Sequence, residues 1–384
     1  MADIWAEPAA LAARRSVKYR KYEPDVLPVW VAEMDVELAE PIRAVLAAAV
    51  ANSDTGYAWP GRLAEAFAGF AARRFGWEPD PGRMMPLPDV MRGISEMLRI
   101  VTEPGDGVVV NTPVYPPFFS HVKDVDRRIV ASPLAYTADG YRLDLERLAG
   151  DFAAGARAYL LCNPHNPTDL VLSRDELVAI AELAERYQVR VLIDEIHAPL
   201  TYPEVVHTPF ASLDTPASRA AVTLVSASKA WNLAGLKAAL LVAGEDSWAD
   251  AQRTTEDVFW SAGLPGLIAN EAAFDAGEPW LETLVDALDG NRRLLGELLT
   301  EQLPEARFHL PDATYLAWLD LRAYGLGDNP AEPLRERGRV ALSEGPSFGE
   351  EGRGFARFNF ASSPERITEA VRRMATVLTV SSPG

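Results

Sequence analysis

Chemically active side chains follow three apolar segments of the chain, at the point where each segment ends. Asp194 ends one such run, Lys229 comes shortly after another, and Asn163 and Asn166 follow a third. Because the carboxyl ends of parallel strands meet at one edge of a sheet, these side chains are predicted to lie close together. An acid, an amine and two amides at one sheet edge indicate a catalytic site rather than a structural one.

The lysine suggests which chemistry this site performs. Lys229 directly precedes Ala-Trp-Asn-Leu and is expected to be half-buried, which lowers the pKa of an amine and makes it a nucleophile toward carbonyl carbon. The aldehyde of pyridoxal phosphate is a suitable partner, since this cofactor also requires a carboxylate beside its pyridine nitrogen. We therefore predict that Lys229 binds the cofactor covalently, that Asp194 faces the pyridine nitrogen and that Asn166 bonds the ring oxygen.

A phosphate requires backbone amides at a helix N-terminus, together with hydroxyl groups. Val90 and Met91 follow Pro-Asp at the predicted start of a helix that runs toward Leu98. Their amides are predicted to bind the phosphate, and the other candidates for this end of the cofactor are Ser226, Ser228 and Lys237, although Lys237 could equally be a solvated side chain.

The elements that position these residues alternate along the middle of the chain. A capping box, Ser173 to Glu176, followed by an apolar stripe predicts a helix over 173–187. Strand-like runs that are apolar on both faces lie between such helices, at 107–111, 156–163, 189–194, 222–226 and 237–243. This alternation predicts an α/β fold with a mostly parallel sheet between helical layers.

The pattern changes after about residue 280. A helix over 281–303 is followed by β-type stretches at 313–321 and 355–361 and a closing helix, which indicates a smaller α+β domain. We predict an N-terminal arm at 1–44 that joins this small domain, a large cofactor-binding domain at 45–280, and the small domain at 281–384.

Composition limits the classes of function. The 384 residues carry a net charge of -18, so phosphate backbones and anionic lipid would repel the chain, and we expect no nucleic-acid or membrane partner. The single cysteine, Cys162, excludes a disulfide framework and a cysteine-based metal cluster, and we expect no metal. No apolar signal core opens the sequence, and we expect a cytoplasmic protein.

The motifs together resemble a known family, the fold-type I pyridoxal phosphate enzymes of the aspartate aminotransferase superfamily. The resemblance rests on Asn163-Pro-His-Asn166-Pro-Thr, Asp194-Glu-Ile-His197 and Ser226-Ala-Ser-Lys229. Within that family the chain is most similar to the MalY/PatB-type cystathionine β-lyases, which are carbon–sulfur lyases. The segments that carry this closer resemblance are Trp30-Val-Ala-Glu-Met-Asp35, Thr314-Tyr-Leu-Ala-Trp-Leu-Asp320 and Glu351-Gly-Arg-Gly-Phe-Ala-Arg357.

The resemblance implies further roles. Besides binding the cofactor, Lys229 would move the Cα proton of the substrate, and Tyr115 would stack on the pyridine ring. Arg357 would clamp the substrate carboxylate beside Asn166, since its planar guanidinium grips a carboxylate with two hydrogen bonds. Tyr57 would reach the cofactor phosphate and the substrate of a neighbouring subunit, which implies a homodimer. His197 is assigned to the cofactor site as a neutral, hydrogen-bonded side chain.

Two positions depart from the family pattern. Asp169 stands where the family usually has glycine, which puts the turn geometry beside the cofactor in question, and Glu33 replaces the usual aspartate of the arm. The cofactor motifs also leave the reaction open. The sequence favours a β-lyase that acts on a sulfur-substituted L-amino acid such as cystathionine; the alternatives are an aminotransferase on the same scaffold and a catalytically silent binding protein.

Overall fold

The computed structural model describes residues 4–378. The parts of the predicted arm and small domain at 1–3 and 379–384 lie outside the described residues. The strands of residues 4–378 are β1 (Leu27–Pro28), β2 (Met84–Leu87), β3 (Gly107–Val110), β4 (Arg128–Ala131), β5 (Ala135–Thr137), β6 (Gly140–Arg142), β7 (Ala156–Cys162), β8 (Arg190–Asp194), β9 (Val222–Val225), β10 (Ala239–Ala243), β11 (Leu316–Asp320), β12 (Val340–Ala341), β13 (Ser343–Glu344) and β14 (Phe355–Asn359).

The helices between these strands range from single turns to the 25 residues of the longest one. They are α1 (Pro8–Ala13), α2 (Val17–Arg20), α3 (Glu40–Ala51), α4 (Leu63–Phe75), α5 (Val90–Val101), α6 (Pro117–Lys123), α7 (Leu145–Ala153), α8 (Arg174–Tyr187), α9 (Pro216–Arg219), α10 (Trp248–Ala251), α11 (Glu256–Trp260), α12 (Leu264–Ala276), α13 (Glu278–Gln302), α14 (Ala331–Gly338) and α15 (Pro364–Leu378). None of these helices combines the length and the apolar character that crossing a bilayer requires.

The central sheet has the strand order β2-β10-β9-β8-β7-β3-β4. Its strands run parallel except for β10, which pairs antiparallel with both β2 and β9. The register places Cys162 opposite Asp194, and Asp194 opposite Leu224, so the carboxyl ends of β7, β8 and β9 lie at one edge. This arrangement confirms the predicted mostly parallel α/β fold.

Helices cover both faces of this sheet. The central strands present apolar side chains on both faces, so both faces must be buried. Helices α5 and α6 pack against the face that contains Val108 and Leu160, while α7 and α8 pack against the face that contains Val109 and Leu161. Helix α8 begins after Ser173 with the predicted capping box, in which Glu176 and Ser173 each bond the other's backbone amide.

The C-terminal part of the chain contains a separate antiparallel sheet with the order β11-β14-β13. Strands β11 and β14 are shorter than the β-type stretches predicted at 313–321 and 355–361. Helix α13 begins three residues before the predicted helix. The N-terminal arm contacts this part directly, because β1 pairs with β12 in parallel. The hairpin of β5 and β6 was not predicted from the sequence.

A buried ion pair within the arm lies where the arm meets the C-terminal part. The Lys18 ammonium lies 2.6 Å from the Asp35 carboxylate, and both side chains are almost fully buried. Asp35 also accepts hydrogen bonds from Tyr19 and Ser362, and Arg366 lies 3.6 Å away. The positive charges and hydrogen bonds around Asp35 lower its pKa despite the opposing effect of burial.

Removing the negative charge of this pair is expected to destabilise the protein strongly. Asp35→Asn leaves the Lys18 ammonium buried without a counter-charge, so the free energy of unfolding should fall by about 3 kcal/mol. Urea unfolding at neutral pH measures this loss. The matched control is Asp25→Asn, since Asp25 pairs with Arg339 on the surface and should cost at most about 1 kcal/mol. Equal midpoints for the two variants would contradict the prediction.

Candidate active site

A cavity of about 300 Å³ opens at the carboxyl edge of the central sheet. It brings together most of the residues that the sequence and its family resemblance assigned to the cofactor. The predicted residues that line it are Val90, Met91, Tyr115, Asn166, Asp194, His197, Ser226, Ser228, Lys229 and Lys237. Residues separated by almost 150 positions in the chain therefore face one space.

Lys229 reaches this cavity from the turn that follows β9, and its side chain is only partly exposed. Its ammonium donates a hydrogen bond to the Ala32 carbonyl at 3.2 Å, and the same carbonyl accepts the Tyr315 hydroxyl at 3.1 Å. Burial, aided by the positive charge of Arg357, lowers the pKa of Lys229 to about 8. A substantial fraction of this amine is therefore neutral near physiological pH, as a nucleophile or proton acceptor requires.

Asp194 is the last residue of β8, and one of its carboxylate oxygens accepts the Ile196 amide at 3.1 Å. Burial raises its pKa to about 6, against the lowering effects of that hydrogen bond and of Lys229. A buried acid in this state is stabilised by a cation, such as a protonated pyridine ring.

His197 also faces the cavity and is buried, and its Nδ1 atom has no hydrogen-bond partner among the described residues. Burial and the nearby positive charges of Lys229 and Arg357 hold its pKa well below the ordinary value, so the ring is neutral. An unpartnered ring nitrogen, a buried carboxyl and a partly neutral amine around one cavity fit pyridoxal phosphate, which offers complementary groups to all three.

The raised pKa of Asp194 predicts how the cofactor-free protein responds to pH. The folded state retains a proton that the unfolded chain releases near pH 3.8, so this group lowers stability as pH rises from about 4 to about 6. Asp194→Asn should therefore stabilise the cofactor-free protein by about 3 kcal/mol at pH 8 and leave it unchanged near pH 4. Urea unfolding at both pH values measures the difference.

Asp139→Asn is the control for this experiment, because Asp139 is exposed in the turn between β5 and β6 and does not line the cavity. Its effect should be small and independent of pH. A destabilisation by Asp194→Asn at pH 8 would contradict the burial argument. In the same variant, cofactor affinity should fall, since the protonated pyridine loses its counter-charge.

The predicted phosphate end of the cavity lies at the start of α5, which begins at Val90 as predicted. Asp89 caps this helix by accepting the Arg92 amide at 2.8 Å, and its other carboxylate oxygen pairs with Lys237 at 2.9 Å. The sequence placed Asp89 in the segment that opens this helix but gave its side chain no role, although an aspartate before a helix is a recognisable capping signal. Lys237 is thus exposed but held beside the helix N-terminus.

The two serines of this region are linked to each other. Ser226 donates its hydroxyl to the Ala238 carbonyl at 2.7 Å, and the Ser228 amide donates to the Ser226 oxygen at 3.0 Å. The Ser226 proton is therefore already used within the protein. Of the two hydroxyl groups, that of Ser228 is more available as a phosphate donor.

Arg357 lies in the middle of β14 and is buried. It donates to the Asn166 side chain at 2.8 Å, and to the Trp30 carbonyl and the Ser343 hydroxyl at 3.1 Å each. Its Nε atom has no hydrogen-bond partner among the described residues. Burial lowers its pKa to about 10, so the guanidinium stays charged at neutral pH.

The Arg357–Asn166 contact joins the two predicted binding functions, because Asn166 lines the cofactor cavity while Arg357 lies behind it. Tyr115 is fixed at the same place, since its amide donates to the Asn166 carbonyl at 3.0 Å. The Ser343 and Trp30 groups that hold Arg357 were not predicted, and no local sequence signal identifies them.

Besides Arg357, Tyr57 is the other predicted site residue that does not line the cavity. Its side chain is 89% exposed, and the nearby Trp59 is 71% exposed. The assigned role of Tyr57 in a neighbouring subunit stays a prediction.

The two departures from the family pattern have clear structural settings. Asp169 adopts the left-handed conformation with φ of 58°, and its carboxylate accepts the Thr314 hydroxyl at 2.6 Å. Aspartate tolerates this conformation better than most residues, so the turn forms without glycine. Burial raises the pKa of Asp169 well above the ordinary value. Glu33 accepts the Ser16 hydroxyl and does not line the cofactor cavity.

Comparisons with known proteins agree with this geometry. A Mycobacterium leprae protein named "Putative cystathionine beta-lyase" is 44% identical over 390 residues, which cover 96% of each chain. The cystathionine beta-lyase PatB of Bacillus subtilis is 35% identical and covers 92% of this chain and 93% of its own. A solved structure from Corynebacterium diphtheriae, described as a "putative plp-dependent beta-cystathionase", superposes with a TM-score of 0.93 at 36% identity, covering 98% of this chain and 99% of that chain.

The family model for "Aminotransferase class I and II" matches residues 46–374, which include the cavity residues and Arg357. The similarity to PatB confirms the resemblance to the MalY/PatB subgroup. The protein has the fold-type I architecture and belongs to the class I and II aminotransferase family.

Proposed function

We propose that the protein is a pyridoxal phosphate-dependent carbon–sulfur β-lyase of the cystathionine β-lyase type. It would convert a sulfur-substituted L-amino acid such as cystathionine, with one water, to a thiol, pyruvate and ammonia. The observation that carries this proposal is the placement of a partly buried lysine and a buried acid around one cavity, with Arg357 linked to it through Asn166. The names of the full-length relatives support elimination over amino transfer.

Three residues of the chain would have separate roles in the reaction. Arg357 binds the substrate α-carboxylate and so fixes the orientation of the Cα–H bond toward the lysine. Lys229 takes the Cα proton on its Nζ atom, for which a pKa of about 8 is suited. When bound, pyridoxal phosphate supplies a ring that accepts the electron pair left at Cα, and Asp194 keeps that ring protonated.

The remaining site residues would hold the cofactor. Tyr115 stacks on the ring, and Asn166 and the neutral His197 bond its polar edge. The Val90 and Met91 amides bind the phosphate at the start of α5. The side chains assigned to the same phosphate are Ser226, Ser228 and Lys237.

We further propose a homodimer, in which Tyr57 completes the phosphate site and contacts the substrate of the neighbouring subunit. The exposure of Tyr57 and Trp59 supports this, since large apolar side chains clustered at a surface often mark an interface. The arm at 1–44, the large domain at 45–280 and the small domain at 281–384 remain the proposed division, and a cytoplasmic location remains the proposed one.

The test of function is product analysis with L-cystathionine and the cofactor-loaded protein. We expect pyruvate and free thiol in equal amounts without any added 2-oxo acid. Amino transfer to 2-oxoglutarate without thiol release would replace the proposal with the aminotransferase alternative. A protein that releases no product with either substrate would have the silent binding role.

A further inference from the structure

A second cavity adjoins the cofactor cavity. Its volume is about 310 Å³, and it shares Tyr115 and Pro117 with the first cavity. Arg357 lines this space, which will be called the outer groove. The other residues of the outer groove that matter here are Lys21, Tyr22, Trp30, Ser343, Glu344 and Phe348.

Aromatic rings hold a lysine at the rim of the outer groove. The Lys21 ammonium lies 4.5 Å from the Trp30 ring centroid and 5.3 Å from that of Tyr22. These two rings pack edge to face with centroids 5.7 Å apart, so both surfaces that contact the ammonium are fixed. Such contacts orient a cation without neutralising its charge.

Lys21 has no carboxylate partner among residues 4–378. The acid of the outer groove, Glu344, is already paired with Arg335 at 3.5 Å. At the inner end, Arg357 is the buried cation, and its Nε atom has no hydrogen-bond partner among the described residues. The outer groove therefore has an inner and an outer positive charge, and apolar walls that include Trp30 and Phe348.

Two separated positive charges joined by apolar walls match a substrate with two carboxylates and an apolar link between them. We propose that the outer groove binds the side chain of the thioether substrate and that Lys21 binds a second carboxylate at its far end. This assignment rests on the proposed function and narrows its substrate class. Alkyl cysteines without a terminal carboxylate are the poorer substrates.

The test compares two thioethers that differ only at the far end, S-carboxypropyl-L-cysteine and S-butyl-L-cysteine. We expect Lys21→Met to lower kcat/KM for the carboxylate-ended thioether roughly fivefold, the loss of one exposed ion pair, with no change for the butyl thioether. Lys21→Arg should retain the preference. Lys123→Met, at an exposed lysine of α6, is the control and should change neither value.

An equal effect of Lys21→Met on both thioethers, or no effect on either, would overturn the subsite while thiol release still upheld the lyase. A binding experiment tests the subsite without the elimination step. Calorimetry with aminoadipate and norleucine, which have side chains of equal length, should show tighter binding of aminoadipate that Lys21→Met removes. If the wild-type protein releases no thiol, the proposed function fails, and calorimetry alone decides the subsite.

Discussion

A Lys229→Ala variant is expected to lose covalent attachment of pyridoxal phosphate and at least about 10³-fold in the rate of thiol release from cystathionine. The variant removes the amine that binds the aldehyde and also the group that takes the Cα proton. No other lysine of the described residues substitutes for it in place, because Lys237, the other lysine that lines the cavity, is paired with Asp89.

The covalent bond is measured by reducing the loaded protein with borohydride and analysing its peptides by mass spectrometry. The wild-type protein should carry the cofactor mass on the peptide that contains Lys229, and the variant should carry none. Lys123→Ala, which changes an exposed lysine, is the matched control and should behave as wild type. Labelling of another lysine in the wild-type protein would place the covalent bond elsewhere.

An Arg357→Lys variant is expected to raise KM for cystathionine by about 10- to 100-fold while kcat changes less. The guanidinium of Arg357 bonds Asn166, Trp30 and Ser343, and its Nε atom has no hydrogen-bond partner among the described residues. A lysine has a single ammonium and cannot reproduce this planar array. Losing charge-assisted hydrogen bonds of this kind costs about 1.5–3 kcal/mol, which corresponds to the expected increase in KM.

Steady-state kinetics with cystathionine measures this effect, and Arg353→Lys is the control. Arg353 is exposed, and it pairs with Asp328 and Glu350 on the surface. Its replacement should leave KM within about twofold of wild type. If Arg357→Lys had the KM of the wild-type protein, Arg357 would have no role in binding the carboxylate.

The sequence predicted the centre of the site because its signals are local. Asp194 and Lys229 each follow an apolar run, and strands of this kind place their carboxyl ends together. The direction of β10 was not predictable in this way, since an apolar run has the same appearance in either orientation. Its antiparallel course brings Lys237, which precedes the strand, to the same edge as the ends of its neighbours.

Contacts between segments that are distant in the chain were harder to predict from the sequence. The bond between Arg357 and Asn166 joins residues 191 positions apart, and only the family resemblance placed both at the substrate. The backbone carbonyl of Trp30, which helps to hold Arg357, carries no sequence signal at all. The glycine replaced by Asp169 raised a question that only the observed φ and the Thr314 contact could answer.

The carbonyl of Ala32 accepts hydrogen bonds from both Lys229 and Tyr315. When the lysine turns away to react, this oxygen still has the phenol as a donor, so no acceptor is stranded in the interior. A buried acceptor without a donor would cost about 1–3 kcal/mol and would oppose binding of the cofactor. The shared acceptor thus holds the lysine in place in the cofactor-free protein and keeps the free-energy cost of its release small.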